Sequence, residues 1–146
     1  MDTFVCQKCG YIAFKNAPDN CPVCWASKEN FKLDANAIKK PVDPKNLNEM
    51  EKKHIPVIVI VKECKLLGPG CIDAKIKIGE ILHVMEAKHF ITYIDLYHNY
   101  DFIARYHMVA EKLNPSIIIH LKVNIGKLTV LENCNVHGRW TAESEI

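Results

Sequence analysis

The sequence predicts a mainly β protein, with a small four-cysteine metal unit followed by an antiparallel β-sandwich or barrel. Four of the seven cysteines fall within the first twenty-four residues, in two C-x2-C pairs, whereas none of the seven histidines precedes His54. From Ile55 onward the chain breaks into short β-branched or alternating runs separated by turn signals. The segment before residue 36 has too few apolar side chains to fold without a staple.

The 146 residues suffice for one ordinary domain, or for a small one joined to a medium one. An apolar fraction of 49% and a charged fraction of 25% are those of a soluble globular chain. A formal net charge of +2 gives no case for a nucleic-acid or membrane partner, and no apolar run is long enough to span a bilayer. Met1 to Cys6 carries neither a basic segment nor an apolar signal core, so a cytoplasmic protein is expected. In that reducing compartment, cysteines serve metals or redox chemistry more often than disulfides.

The expected organisation is a metal unit over residues 1–35, a linker over 36–50 and a second domain over 51–146. In the first, Cys6, Cys9, Cys21 and Cys24 form C-x2-C-x11-C-x2-C. Two intervening residues let one tight turn aim both thiolates at a single ion. Gly10 allows the positive φ such a turn needs, and Pro22 fixes the backbone at the second turn. Four thiolates in a tetrahedron suit zinc or a single iron. The linker has two prolines, many polar residues and a short helical turn near Leu47 to Glu51. With few apolar contacts there to lose, the second domain is expected to fold without residues 1–35.

Ile55 to Val61 reads as a buried strand, and Leu67-Gly68-Pro69-Gly70 as a turn. Ile72 to Ile78 alternates, as a half-exposed strand should. Phe90 to Tyr97, Phe102 to Ala110, Ile117 to Ile125 and Lys127 to Leu131 are further strand candidates. Several short strands with turns between them indicate an antiparallel sandwich or barrel.

The segment VCQKCGYIAFKNAPDNCPVCWASKENF resembles the short-loop rubredoxin-like domain of rubrerythrins, through CxxCGY, CPVC and the trailing Phe31. The resemblance implies an iron that cycles between two oxidation states as an electron relay. A zinc ribbon has the same spacing, so the metal here is iron or zinc.

Three further segments stand out: Glu51-Lys52-Lys53-His54-Ile55-Pro56, the run from Gly79 to His89, and Asn133-Cys134-Asn135-Val136-His137-Gly138-Arg139-Trp140. Singly each is weak. His83 and His89 are six apart, which no single helix face accommodates, so they belong on a loop. Taken together and in this order, the segments resemble the superoxide reductases, the desulfoferrodoxin and neelaredoxin family. The resemblance implies an immunoglobulin-like β-sandwich. It also implies one iron bound by His54, His83, His89 and His137 near a plane, with the Cys134 thiolate on one axis. Five such ligands leave a sixth position for a small diatomic, and a thiolate opposite it donates electron density. The implied reaction is one-electron reduction of superoxide to hydrogen peroxide, with the oxidised iron re-reduced by a donor such as a rubredoxin or its reductase.

Lys53, next to His54, is the candidate for drawing in the anion. The chain departs from the family's pattern at two points. Lys52 stands where the family has Glu, with Glu51 one step further off, and Val84 stands where the family often has Pro. His98, His107 and His120 match no family ligand and are expected to be structural or surface residues, with His120 on the solvated face of its strand. Cys64 and Cys71 flank the glycine turn and could face one another across a hairpin, and in a reducing compartment free thiols are expected. Trp25, Tyr93, Tyr106 and Trp140 are read as core or interface. By family analogy the chain is a homodimer or homotetramer. The rival reading is a non-catalytic metal-binding protein whose four-cysteine unit is a zinc-ribbon docking module.

Overall fold

Strand β1 (Thr3–Cys6) leads straight into the first cysteine pair and lies between β2 (Ile12–Phe14) and β3 (Phe31–Leu33) in an antiparallel sheet of order β2-β1-β3. The computed structural model describes residues 1–146. Helix α1 (Glu49–His54) starts at a capping box, in which the Asn48 side chain accepts from the Glu51 amide and the Glu51 carboxylate accepts from the Asn48 amide. The helix runs past the turn expected at Leu47 to Glu51 and ends on His54.

The remaining strands are β4 (Pro56–Val61), β5 (Ile72–Ile78), β6 (Ile91–His98), β7 (Asp101–His107), β8 (Ser116–Leu121), β9 (Lys127–Cys134) and β10 (Gly138–Glu145). They form two antiparallel sheets, β4-β5-β8 and β10-β9-β6-β7. Between them lies a core of Ile72, Ala74, Ile76 and Ile78 from one sheet against Ile94, Leu96, Leu128 and Val130 from the other. This is the expected antiparallel sandwich. Several elements differ from the sequence reading: β7 stops at His107, three residues short of Ala110, and β9 runs on past Leu131 to Cys134. Strand β4 is an edge strand, and its Val59 is 51% exposed rather than buried. Strand β8 stops at Leu121, four residues short of Ile125. Strand β10 had no signal, because GRWTAESE is polar and poor in β-branched residues, yet it pairs with β9 along its whole length.

Strand β6 is buried on both faces. Ile94 and Leu96 point into the sandwich, while Tyr93 and Tyr97 enter a second core with Val5, Tyr11, Ile12, Cys21 and Leu131. Two phenols dock the N-terminal sheet on the sandwich: Tyr97 donates to the Ile12 carbonyl at 2.8 Å and Tyr93 to that of Gly10 at 3.2 Å. Between them Arg105 makes a buried bidentate pair with Asp95, both contacts 2.6 Å, and lies over the Tyr93 ring. The linker also holds on. Ala37 is buried, Lys39 donates its amide to the Arg139 carbonyl, and the Val42 amide donates to Glu51.

Residues 1–35 therefore cover an apolar face that their removal would bare, against the expectation of a freely separable second domain. Tyr97→Phe leaves the buried Ile12 carbonyl without its donor and should cost about 1–2 kcal/mol in denaturant unfolding of the whole chain. A truncation to residues 36–146 should unfold more readily still. A truncated chain as stable as the full one would show that the shared core contributes nothing.

Candidate metal centres

Two matching backbone knuckles build the first centre. The Gly10 amide donates to the Cys6 carbonyl, and the Trp25 amide to that of Cys21, each at a residue of positive φ. Gly10 takes φ 77° freely, whereas Trp25 adopts 63° with a side chain in place and is 77% exposed, not core. The four thiols converge, with Sγ–Sγ separations of 3.6 Å for Cys6–Cys24 and for Cys9–Cys21. Burial pushes the Cys9 and Cys21 thiols up, while the backbone amide of Ala26 pulls the exposed Cys24 down. A cation would offset the burial cost that keeps two of the four protonated.

The second centre lies at one end of the sandwich. His54 arrives at the C-terminus of α1, His83 and His89 on the loop from Gly79 to Phe90, and Cys134 and His137 on the β9–β10 turn. The imidazoles form a closed ring of edge-to-face neighbours. Centroids are 4.7 Å apart for His54–His83, 4.8 Å for His83–His89, and 5.0 Å for both His89–His137 and His137–His54. Ligand atoms of His54, His89, Cys134 and His137 all lie within 4.8 Å of one another, with His83 just outside this set. All of the histidines and the cysteine singled out in the sequence are thus brought together.

Protonation follows from the hydrogen bonds. His54 Nδ1 donates to the Met50 carbonyl at 2.7 Å and His83 Nδ1 to that of Val84 at 2.6 Å, which leaves each Nε2 with its lone pair facing inward. The Nε2 atoms of His54, His83 and His89 are buried with no hydrogen-bond partner at all. Burial, first of all, lowers the pKa of His54 and His137 and takes His83 down to about 4, so these rings are neutral at pH 7. Cys134 is buried, and burial raises its thiol. The amides of His137 and Val136, and the charge of Lys39, act against that rise. Three orphaned imidazole nitrogens and a thiol that only a cation would stabilise as thiolate are the donor set of a borderline transition metal such as iron, so the residues fit the metal the motifs imply.

Several supports went unread in the sequence. Gly79, at φ 87°, lies where a Cβ would strike the carbonyls of Lys52, Lys53 and Ile81, so only glycine lets the histidine loop close on α1. Asn135 clasps that loop, accepting from the Phe90 amide at 2.9 Å and donating to the Lys88 carbonyl at 3.0 Å. Trp140 stacks on His54 at 5.4 Å, and the Lys39 ammonium lies over its ring. Glu132 is fully buried with both oxygens unpartnered, and burial raises its carboxyl well above the usual carboxylate range.

A cleft of about 540 Å³ opens over the imidazole ring. All four histidines line it, with Lys53, Glu49 and Glu86 at its sides, and Cys134 does not. Lys53 pairs with Glu49 one helical turn back, at 3.0 Å. Glu51 faces away, its carboxylate oxygens held by the Val42 and Asn48 amides. The helix glutamate at the cleft is therefore Glu49, which helical spacing from Lys53 could have indicated, and Glu86 of the histidine loop lies there too.

Residues 46–143 match the sequence model of desulfoferrodoxin, and residues 4–32 that of the rubredoxin-like domain of rubrerythrin. A desulfoferrodoxin from Syntrophotalea carbinolica is 34% identical over 107 residues, 71% of this chain and 75% of that one. A putative superoxide reductase from Methanocaldococcus jannaschii is 34% identical over 105 residues, 67% of this chain and 85% of its own. Among solved structures, the superoxide reductase from Nanoarchaeum equitans superposes with a TM-score of 0.56 at 29% identity, over 65% of this chain and 94% of that one.

Asn135→Ala removes both clasps on the loop that carries His89 and touches no proposed ligand. It should weaken metal retention at this centre about 10–100-fold, read as iron lost to a competing chelator, with the four-cysteine centre unaffected.

Proposed function

The chain belongs to the desulfoferrodoxin family, and from that premise we propose that it is a superoxide reductase whose iron is held by His54, His83, His89, His137 and Cys134. The observation that carries this reading is the division of the ligands by the imidazole ring. The four histidines line the cleft and Cys134 lies buried behind them, so an iron held by all five would be reached by a small anion from the cleft, on the histidine side. An iron bound there supplies the one electron that, with two protons, converts superoxide to hydrogen peroxide.

The chain's own residues set the conditions. Neutral imidazoles add no charge, and the carbonyls of Met50 and Val84 fix two of them in the ligating tautomer. The His137 amide donates to the Cys134 sulfur at 3.4 Å, which holds the thiolate in place. The cleft is open to water, which brings protons without a dedicated side chain. Lys53 attracts the anion, and Glu49 beside it cancels part of that field.

In this reading residues 1–35 form the relay unit, 36–50 the connector and 51–146 the catalytic unit. One contact path links the centres. Gly10, next to Cys9, offers its carbonyl to Tyr93, whose hydroxyl accepts from Arg139 on β10, two residues beyond His137. The four-cysteine centre holds iron if it relays electrons and zinc if it is a staple. The external donor is a rubredoxin or its reductase, and the protein works in the cytoplasm as a homodimer or homotetramer.

Cys134→Ser exchanges a soft ligand for a hard one. The thiolate charge-transfer band of the oxidised protein should vanish and superoxide reduction should be largely lost. A variant that keeps both band and activity excludes Cys134 as a ligand. Protein made anaerobically with ample iron should carry nearly two irons per chain and a red colour that bleaches on reduction. Zinc at the cysteines under those conditions would leave a docking or structural module there.

The ion pair at the cleft makes a second prediction. Lys53→Ala should slow the second-order reaction with superoxide by about ten-fold and flatten its salt dependence, while Glu49→Gln should speed it by freeing Lys53. Stopped-flow rates at low and high salt decide, and no change in either variant removes electrostatic guidance by this helix.

A further inference from the structure

A third ligand cluster lies on the outer face of the β4-β5-β8 sheet. Asp73 on β5 and His120 on β8 are directly opposite in register, and the loop between β4 and β5 brings Cys64 and Cys71 over them. His120 Nδ1 is 2.8 Å from Asp73 Oδ1, 3.3 Å from Cys64 Sγ and 3.7 Å from Cys71 Sγ, and Cys71 Sγ is 3.9 Å from Asp73 Oδ1. All four ligand atoms lie within 4.8 Å of one another. Both cysteines are buried although the loop that carries them is largely exposed.

We propose that Cys64, Cys71, Asp73 and His120 form a structural zinc site that fastens the β4–β5 loop to strand β8. Three observations carry it. The first is geometric. Bonds of about 2.3 Å to sulfur and about 2.0–2.2 Å to nitrogen and oxygen give tetrahedral edges of roughly 3.3–3.8 Å. The three separations that involve sulfur, 3.3, 3.7 and 3.9 Å, fall at that range, as do the 3.6 Å sulfur pairs of the four-cysteine centre, while His120 and Asp73, at 2.8 Å, are hydrogen-bonded and would part by about 0.5 Å to admit the ion.

The second is the backbone around Cys64, which repeats the knuckles of the first centre. The Gly68 amide donates to the Cys64 carbonyl, as Gly10 does to Cys6 and Trp25 to Cys21, and Gly68 has φ 84° beside 77° for Gly10. In those knuckles the second thiol follows three residues after the first. Here Leu67 holds that position, and Cys71 supplies the second thiol from the strand entrance. The third is the sulfur itself. The Leu67 amide donates to Cys64 Sγ at 3.4 Å, the separation and spacing at which the His137 amide meets Cys134 Sγ. Amides aimed at a sulfur favour its thiolate, the form that binds metal.

Two thiolates, one imidazole and one carboxylate match zinc in hardness and number, with no position left open for substrate. The site is therefore structural. It ties the β4–β5 loop to an edge of the sandwich, and His120, expected to be a solvated bystander, is its hinge.

The test uses the full chain, purified under reducing conditions from medium rich in iron and zinc. Native protein should hold one zinc per chain beyond the metal of the other two centres. Cys64 and Cys71 should resist alkylation until a chelator is added. The double variant Cys64→Ser/Cys71→Ser should lose that one zinc while its iron content and visible spectrum stay those of the parent. Asp73→Asn keeps both thiols and the shape of the sheet. It should raise the zinc dissociation constant at least about 10-fold, the smaller loss seen on removing even an outer-shell partner. The proposal is overturned if no zinc beyond the other centres is bound, if the double variant keeps it, or if Cys64 and Cys71 are joined as a disulfide in the reduced preparation.

Discussion

Three imidazole nitrogens, buried and facing one another without a hydrogen-bond partner, are the constraint on which this end of the molecule depends. Polar atoms in such a place cost free energy unless something accepts their lone pairs. The surrounding structure nonetheless holds them there from several directions. A capping box starts the helix that delivers His54, a glycine lets the next loop pack on that helix, and an asparagine from the β9–β10 turn pins the same loop from the far side. None of these devices serves the sandwich as such. They converge on one point, and a cation at that point turns a set of costs into bonds.

The same constraint explains why the cleft faces the way it does. The thiol enters from the protein interior, two residues along β9 from the buried Glu132, and the imidazoles lie between it and the cleft. The open face is bordered by Met50, Leu82 and Val84 and by the helix rim, where Lys53 and Glu49 pair. A small anion meets little steric selection there, so discrimination rests on the metal's electronic state and on the local field.

Much of this was legible in the sequence, for identifiable reasons. Metal ligands are read from residue type and spacing, and both survive folding unchanged. All nine ligands singled out for the two main centres converge where the motifs placed them, in two clusters. Alternation revealed β5 because one of its faces meets water. Strand β6, buried on both faces, was still found as the run Phe90 to Tyr97, whereas β10 was missed because its pairing comes from its neighbour rather than from its own propensity. The role of Glu51 was also hidden. Helical phase turns it away from the cleft and onto the cap, where its carboxylate holds the Val42 and Asn48 amides. His120 was read correctly as lying on an exposed face, but Asp73 reaches it through strand register and Cys64 and Cys71 through the β4–β5 loop, which no local pattern reports.

Strand β6 gives one face to the sandwich and the other to the cysteine-bearing sheet, so it belongs to both cores at once. Any state in which β6 is displaced loses the geometry of both metal centres together. Ligands that bind only the intact arrangement then act as mutual effectors. Occupancy of either centre lowers the population of opened states and tightens the other by the same factor, with no contact between the ions. An oxidant that strips metal through the exposed Cys24 thus reaches the distant imidazole ring thermodynamically, as a fall in its apparent affinity.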